Sequence, residues 1–354
     1  MAFALLNNVA IRGISACVPR HIEENASLPI FAPDEIERVI AQTGIERKHT
    51  VEQGTTVVDL CAHAFEQLLH ELQWDRMSID ALILVSSAGD YITPPSSNVL
   101  HGILNLPETC LCFDIRQGCP GWIIGLEVAG SLVTTHNFRR VILLCGDSAT
   151  LMKSPLDKES RPLFGDAGTA TALEYDTEAS PIELEHGSRG KEYHTIFAKA
   201  GGLRYPTTPS DLEFRTDDDN MTYRAIDSHM KGMDVFSFAL ATAPKSVQSL
   251  MNQFHIGMDT IDYFIFHQAN QYLNEKIRKK LKIDSSKVPY SLRNFGNTGS
   301  ATIPLTIVSQ CRERYSTDTI NTIACAFGVG LAWGSAHFIT HHIVCPEVIF
   351  YDSL

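Results

Sequence analysis

The hydrophobic pattern of this chain occurs twice. "FEQLLHELQWDRMSIDALILVSSAG", starting at Phe65, and "VQSLMNQFHIGMDTIDYFIFHQANQ", starting at Val247, align without a gap 182 residues apart. In each, apolar residues recur at helical spacing; a polar turn, an Ile-Asp pair and an apolar run of strand length follow. Leu68 falls on Leu250, Leu69 on Met251, Ile79 on Ile261, Asp80 on Asp262 and Ile83 on Ile265. The pattern predicts an amphipathic helix leading into a buried strand, at both places.

The repeat continues downstream. In "DIRQGCPGWIIGLEVAG" (114–130) a Gly-rich turn opens an apolar helix, and 182 residues after Cys119 the same happens at Ala301 in "NFGNTGSATIPLTIVSQ". "VILLCGDSAT" and "LFGDAGTATALEY" are paralleled by "TIACAFGVGLAWGSAHF". The expected architecture is therefore α/β, with two halves at 1–178 and 179–354 related by internal duplication. The stretch 179–235 fits neither half and carries the acidic run "DLEFRTDDD"; it is expected to be an excursion or cap between them.

In the helix after Cys119, the apolar residues Trp122, Ile123, Ile124, Leu126, Val128, Ala129, Leu132 and Val133 surround the whole cylinder. Such a helix belongs between other layers. Gly121, Gly125 and Gly130 cost helix propensity but let neighbouring backbones approach. Pro120 suits a first turn, where its missing N–H is no loss. Cys119 is thereby expected at or beside the N-cap.

Composition narrows the picture further. The net charge of −12 over 354 residues argues against general nucleic-acid binding. No uncharged apolar run approaches the roughly 20 residues of a membrane span. "MAFALLNNVAIRG" lacks a basic region followed by a long apolar core, so the expected location is cytoplasmic. The nine cysteines include no CxxC pair and read as reduced thiols. Cys61, Cys110, Cys112, Cys145, Cys325 and Cys345 are expected in the core. Fourteen histidines without ligand spacing give no reason to expect a metal.

The duplication places the two buried helix starts and the strand ends at 85 and 267 around one pseudo-twofold axis. Cys119, "HQAN" (267–270) and "GNTGS" (296–300) meet there. A helix N-terminus favours thiolate through its unpaired N–H groups and dipole, while burial works the other way. His267 ends an apolar strand, and Asn297 lies in a glycine-flanked turn. Cys, His and Asn together can form and resolve a covalent acyl intermediate. Papain-like proteases use the same order, with the His at a comparable spacing. Their Cys-Gly-Ser-Cys-Trp signature is absent, however, and a protease accounts for no duplication.

The chain resembles, over almost its whole length, the β-ketoacyl–acyl-carrier-protein synthase III (KAS III) group of the thiolase superfamily. The motifs that carry the resemblance are "TGIERKH" (43–49), "DIRQGCPG" (114–121), "LFGDAGTA" (163–170), "FHQAN" (266–270), "FGNTGSATIP" (295–304) and "FGVGLAWGSA" (327–336). It implies a thiolase fold, with two α/β halves in a five-layer α/β/α/β/α core, and a homodimer. It implies that Cys119 is acylated, that His267 and Asn297 assist malonyl decarboxylation, and that the amides of Cys119 and Val329 form an oxyanion hole. The substrates implied are acyl-carrier-protein or CoA thioesters, with no bound cofactor. Arg38, Arg161 and Asn270 are the expected substrate-binding side chains.

Four positions depart from the group. Val329 stands where glycine is usual. Arg38 replaces a tryptophan that stacks on the CoA adenine, and Tyr272 replaces an arginine that docks the carrier. "QGCPG" replaces a small-residue pattern around the nucleophile. These suggest a specialised relative rather than the enzyme that initiates fatty-acid synthesis. Carrier docking then falls to the helix "NEKIRKKLKI", through Lys276, Arg278 and Lys279, with Lys280 and Lys282 nearby. Two other readings stay open. The acyl group could pass from Cys119 to an oxygen or nitrogen nucleophile, or the chain could be a non-catalytic partner subunit.

Overall fold

The structure is a computed structural model and describes residues 2–218 and 220–352. Its apolar runs form two mixed sheets. Strand order in the first is Ile349–Tyr351, Val9–Pro19, Ala167–Tyr175, Arg140–Asp147, Ala81–Ser86, Leu111–Arg116. The second runs Ala2–Leu6, Ile182–Ser188, Ala332–His341, Thr319–Gly328, Tyr263–Phe266. The expected duplication is visible in the pairing itself. Ala81–Ser86 is parallel to Arg140–Asp147, which is antiparallel to Ala167–Tyr175, which is antiparallel to Val9–Pro19. Tyr263–Phe266, Thr319–Gly328, Ala332–His341 and Ile182–Ser188 repeat that order and those directions.

The sheets do not divide cleanly between the first and last parts of the chain. Ala2–Leu6 crosses to pair with Ile182–Ser188, and Ile349–Tyr351 returns to pair with Val9–Pro19. Ile182–Ser188 lies inside the segment expected to be an excursion, yet it is an interior strand of the second sheet, hydrogen-bonded on both sides. Its polar residues misled the reading because Glu185 is buried against Ser246 and Trp333. Beyond that strand, the described part of the segment forms short pairs such as Ile196–Phe197 with His229–Met230, and the short helical turns Gly190–Thr195 and Pro209–Leu212. Asp219 of the acidic run lies outside the described residues.

Three apolar clusters fill the spaces between layers. Helix Val57–Leu72 packs Leu60, Phe65 and Leu68 against the outer face of the first sheet. Helices Gly232–Phe254 and Gln271–Leu281 pack Phe238, Val247 and Ile277 against the outer face of the second. Between the sheets lie Gly121–Thr134 and a helical run of three pieces, Thr302–Thr306, Ile307–Cys311 and Arg312–Thr317, the middle one a π-helix. Trp122, Ile123 and Leu126 meet Ile303, Leu305 and Ile307 there, together with Val141 and Leu143 from one sheet and Ala324 and Ala326 from the other. The result is five layers, α/β/α/β/α.

Helix Gly121–Thr134 is less enclosed than its composition suggests. Ile124, Glu127 and Val128 are half-buried and Ser131 is exposed, so one stripe reaches the surface. Its glycines do what close approach requires. A Cβ on Gly121 would fall 2.6 Å from Val85 Cγ1 and 3.1 Å from Ser300 Cβ, so the two central helix starts touch. Among the described residues no helix is long and apolar enough to cross a membrane.

Candidate active site

Cys119 directly precedes Pro120, the N-cap of helix Gly121–Thr134. The backbone N–H groups of Val329 and of Cys119 itself lie beside the sulfur and favour its charged form. Gly328, at φ +156°, explains how that strand end comes so close: a Cβ there would lie 2.6 Å from Cys119 Sγ. Of the opposing effects on the Cys119 sulfur, burial is the largest and pushes the thiol up to about 11; the Val329 amide, Lys153 and the cysteine's own amide pull against it, while Asp147 adds to the rise.

His267 follows strand Tyr263–Phe266, and its backbone N–H donates to Cys325 O at 2.8 Å. The side chain is buried, edge-on to Phe327, with Nδ1 2.8 Å from Thr302 Oγ1. Burial lowers its pKa to about 3, so the imidazole is neutral at physiological pH. Thr302 is the first residue of the second central helix. It therefore ties the histidine of one element to the turn that carries Asn297.

Asn297 is held at every other polar atom. Its backbone N–H donates to Leu163 O at 2.8 Å, its carbonyl accepts from Gly165, and its Oδ1 accepts from the Gly299 amide at 3.0 Å. The amide nitrogen is left as the donor for chemistry. Gly299 is obligatory here, since at φ +62° a Cβ would overlap the Asp147 carboxylate at 2.1 Å. Asp147 itself accepts from the amides of Ser300 and Ser87, each at 2.8 Å. It thereby joins the second helix start to the end of strand Ala81–Ser86.

Cys119, His267 and Asn297 line one cavity of about 790 Å³. Asn270 lines it too, and its Oδ1 caps helix Gln271–Leu281 through Leu273 N–H. The cavity has a further wall that the sequence did not suggest: Ile196, Ala198, Ser228 and Met230 come from the segment between the halves. Tyr272, Met233 and Lys158 line it as well and are exposed, marking its mouth.

Three expected residues are placed elsewhere. Arg38 is exposed and turned back onto Asp34, at 2.8 Å; its neighbours Val39 and Gln42 line the cavity instead. One helical step separates the two faces, and the spacing could not choose between them. Arg161 is paired with Glu23, and its carbonyl accepts from buried Lys48. Its place is in the scaffold under the 163–165 turn. Arg278 is gripped by Glu275 and donates to Ile283 O, leaving Lys276 and Lys279 as exposed charges on that helix. An Arg three residues after a Glu is a helix-pairing signal that the charge count overlooked.

Thr302, Asp147 and Lys153 are the site residues that sequence reasoning missed. Thr302 and Asp147 sit inside the repeat-matched motifs, so alignment of the halves could have flagged them. Lys153 follows a short turn with no distinguishing pattern. Cys112, expected in the core, is half-buried with its sulfur 4.0 Å from that of Cys110, a contact that lowers the Cys112 thiol and raises that of Cys110. Among the described residues no three His, Cys, Asp or Glu side chains are grouped to hold a metal.

Comparison with known proteins agrees with this geometry. The family described as 3-oxoacyl-[acyl-carrier-protein (ACP)] synthase III matches residues 113–190, and its C-terminal counterpart matches 251–339. A Campylobacter jejuni protein provisionally named as a 3-oxoacyl-[acyl-carrier-protein] synthase 3 is 30% identical over 353 residues, covering 97% of each chain. A Bacteroides thetaiotaomicron β-ketoacyl-[acyl-carrier-protein] synthase III is 26% identical over 337 residues, covering 93% of this chain and 96% of its own. The crystal structure of a 3-oxoacyl-(acyl-carrier protein) synthase from Burkholderia xenovorans superimposes with a TM-score of 0.93 at 31% identity, covering 99% of both chains. This chain belongs to the 3-oxoacyl-[acyl-carrier-protein] synthase III family, acyltransferase-type enzymes of the thiolase fold.

Proposed function

We propose that this protein joins an acyl thioester to a malonyl thioester by decarboxylative Claisen condensation, with Cys119, His267 and Asn297 as its catalytic residues. The observation that carries this reading is that a sulfur flanked by two backbone N–H donors shares one cavity with a neutral imidazole and an oriented carboxamide.

Cys119 sulfur attacks the acyl carbonyl, and the amides of Cys119 and Val329 hold the oxyanion. The carrier thiol departs with the proton that the cysteine gives up, leaving acyl-Cys119. A malonyl thioester then enters, and its C–CO₂ bond breaks to release carbon dioxide. The enolate oxygen takes hydrogen bonds from Asn297 Nδ2 and His267 Nε2. Thr302 Oγ1 is 2.8 Å from Nδ1 and 3.2 Å from Gly299 O. The enolate needs the imidazole proton on Nε2, the tautomer in which Nδ1 accepts from the Thr302 hydroxyl. The enolate carbon attacks the acyl carbonyl, the C–S bond breaks, and the 3-oxoacyl thioester leaves a free cysteine. Holding both reactants in one cavity makes this carbon–carbon step effectively intramolecular.

A carrier-borne thioester suits the mouth, because Lys276 lies over Tyr272 at 5.2 Å and Tyr272 stacks on Phe236 beside the opening. The side chain of Val329 fills the space next to Gly118, where a Cβ would meet it at 3.0 Å. That reshaped wall supports a specialised acyl donor. A homodimer is part of the same proposal. Edge strand Leu111–Arg116 pairs on one side only among the described residues, exposes Leu111, and leads towards Cys119. An unprotected edge of this kind invites strand pairing with a second copy.

The test separates the two half-reactions. Intact mass after incubation with acyl thioesters should show one adduct, mapped to Cys119, and addition of malonyl thioester should release carbon dioxide and a 3-oxoacyl product. Acylation without carbon dioxide release, but with transfer to alcohols or amines, would replace condensation by simple acyl transfer.

A further inference from the structure

Two lysines are buried near this site, and their surroundings differ. Lys48 Nζ is fully partnered by Glu23 at 2.7 Å, Arg161 O at 2.7 Å and Asn25 Oδ1 at 3.1 Å, inside the scaffold. Lys153 lies on the cavity wall with Cys119, next to Ala149 and Met152, which line the same space. It is 7% exposed, and its two hydrogen bonds go to neutral oxygens, Ser228 O and Oγ, both at a long 3.2 Å. Its ammonium also sits 4.2 Å from the ring centre of Phe164. The carboxylates whose fields reach it are already engaged. Asp147 takes the Ser87 and Ser300 amides, Asp157 takes the Glu159 amide and Ser160 hydroxyl, and Asp227 is paired with Arg224. An ammonium on a mostly apolar cavity wall, with only weak neutral partners, is costly unless something negative arrives.

We propose that Lys153 anchors a carboxylate on the acyl group delivered to Cys119, so that the acyl donor is the monothioester of a dicarboxylic acid. This names the donor class and rests on the acylation of Cys119 proposed above. Part of the lining suits the carbon chain between the two ends, since Met152, Leu163, Phe164, Ile196 and Met230 are apolar; Arg116, Lys158, Asp147 and Glu159 line the same cavity. Burial lowers the lysine to about 8, which still leaves it mainly charged at neutral pH, and an arriving carboxylate would raise it again. A buried charge-assisted pair of this kind is directional, and it rejects a neutral chain by leaving the ammonium unpaired.

The experiment measures Cys119 acylation by intact mass, which needs no malonyl thioester. Succinyl, glutaryl and adipyl coenzyme A are each compared with the isostere in which an isopropyl group replaces the carboxylate. The wild-type protein should prefer one carboxylate-bearing donor over its isostere. Lys153→Met and Lys153→Gln should each lower that ratio by about ten- to a hundredfold. Because the readout is a ratio within one protein, partial misfolding cancels, and the glutamine variant covers the case in which methionine does not fold. A wild-type preference for every neutral isostere, or an unchanged ratio in both variants, would overturn the proposal. So would an equal loss with both donor classes together with an alkaline shift in Cys119 alkylation, since Lys153 would then be serving the thiol. If no donor acylates Cys119, the acylation reading and this proposal both fall. If acyl-enzyme forms but malonyl thioester is never decarboxylated, only the condensation reading falls.

Discussion

At the start of one central helix, Cys119 stands with its sulfur between two backbone amides; at the start of the other, Asn297 and Thr302 present a carboxamide and a hydroxyl. The duplication puts these two turns in equivalent places, close enough that Gly121 and Ser300 touch. Their electrostatics have diverged. The first turn approaches the C-terminal end of strand Thr319–Gly328 from the other half, and burial there raises its thiol. The second is a rigid carrier of neutral donors, fixed through Asp147 and through the main chain of Leu163 and Gly165. The difference teaches that the duplicated frame supplies position, while the chemistry comes from what the opposite half brings to each helix start.

The sharpest way to break the comparison is to remove one function from each turn. Cys119→Ala should abolish the acyl-enzyme, read by intact mass. Asn297→Ala should still acylate, yet release carbon dioxide from malonyl thioester about a hundred- to a thousandfold more slowly. Comparable loss of acylation in both variants would show that the turns do not divide the labour.

Next in size is the response to pH. With the Cys119 thiol near 11, the thiolate fraction, and with it the acylation rate, should climb about tenfold per pH unit above neutrality. Condensation started from preformed acyl-enzyme should instead be flat through 6.5, because His267 stays neutral down to about 3. The same depression has a sign for stability. The unfolded chain binds a proton on this histidine near 6.5 and the folded one does not until about 3, so its contribution is present above 6.5 and lost as pH falls through that window. Thermal melts of His267→Gln should show a smaller loss on acidification than wild type.

Thr302→Val sharpens the second turn alone. Without the hydroxyl, Nδ1 loses its donor, and condensation should slow about tenfold while acylation holds; Thr302→Ser should recover most of it. The smallest effect is expected at the mouth. Lys276→Glu with Lys279→Glu should raise KM for a carrier-borne thioester several-fold at low salt, each exposed charge being worth about 0–1 kcal/mol, and the effect should fade as salt is added. Reversing Arg278 should lower the melting temperature instead, because it holds Glu275 and Ile283 O.

The periodicity of the chain determined a good deal without help. The residues 182 apart predicted paired strands that the sheets then repeat in order and direction, because a buried strand and its covering helix leave an apolar pattern that survives divergence. Cys119, His267 and Asn297 were legible as candidates because each stands at the end of an element or in a turn that the repeat brings to one axis. Tertiary structure decided the rest. Whether Cys119 is a thiolate depends on how much water the opposite half excludes, and no local motif records that. In the sequence Arg38, Arg161 and Arg278 look like available charges, yet Asp34, Glu23 and Glu275 take them up. Glu23 lies 138 residues from Arg161 in the chain and becomes its neighbour only on folding. The same holds for Lys153. Its sequence neighbours leave it an ordinary lysine, and only the packing of a distant serine, a phenylalanine ring and an apolar cavity around it makes its charge consequential.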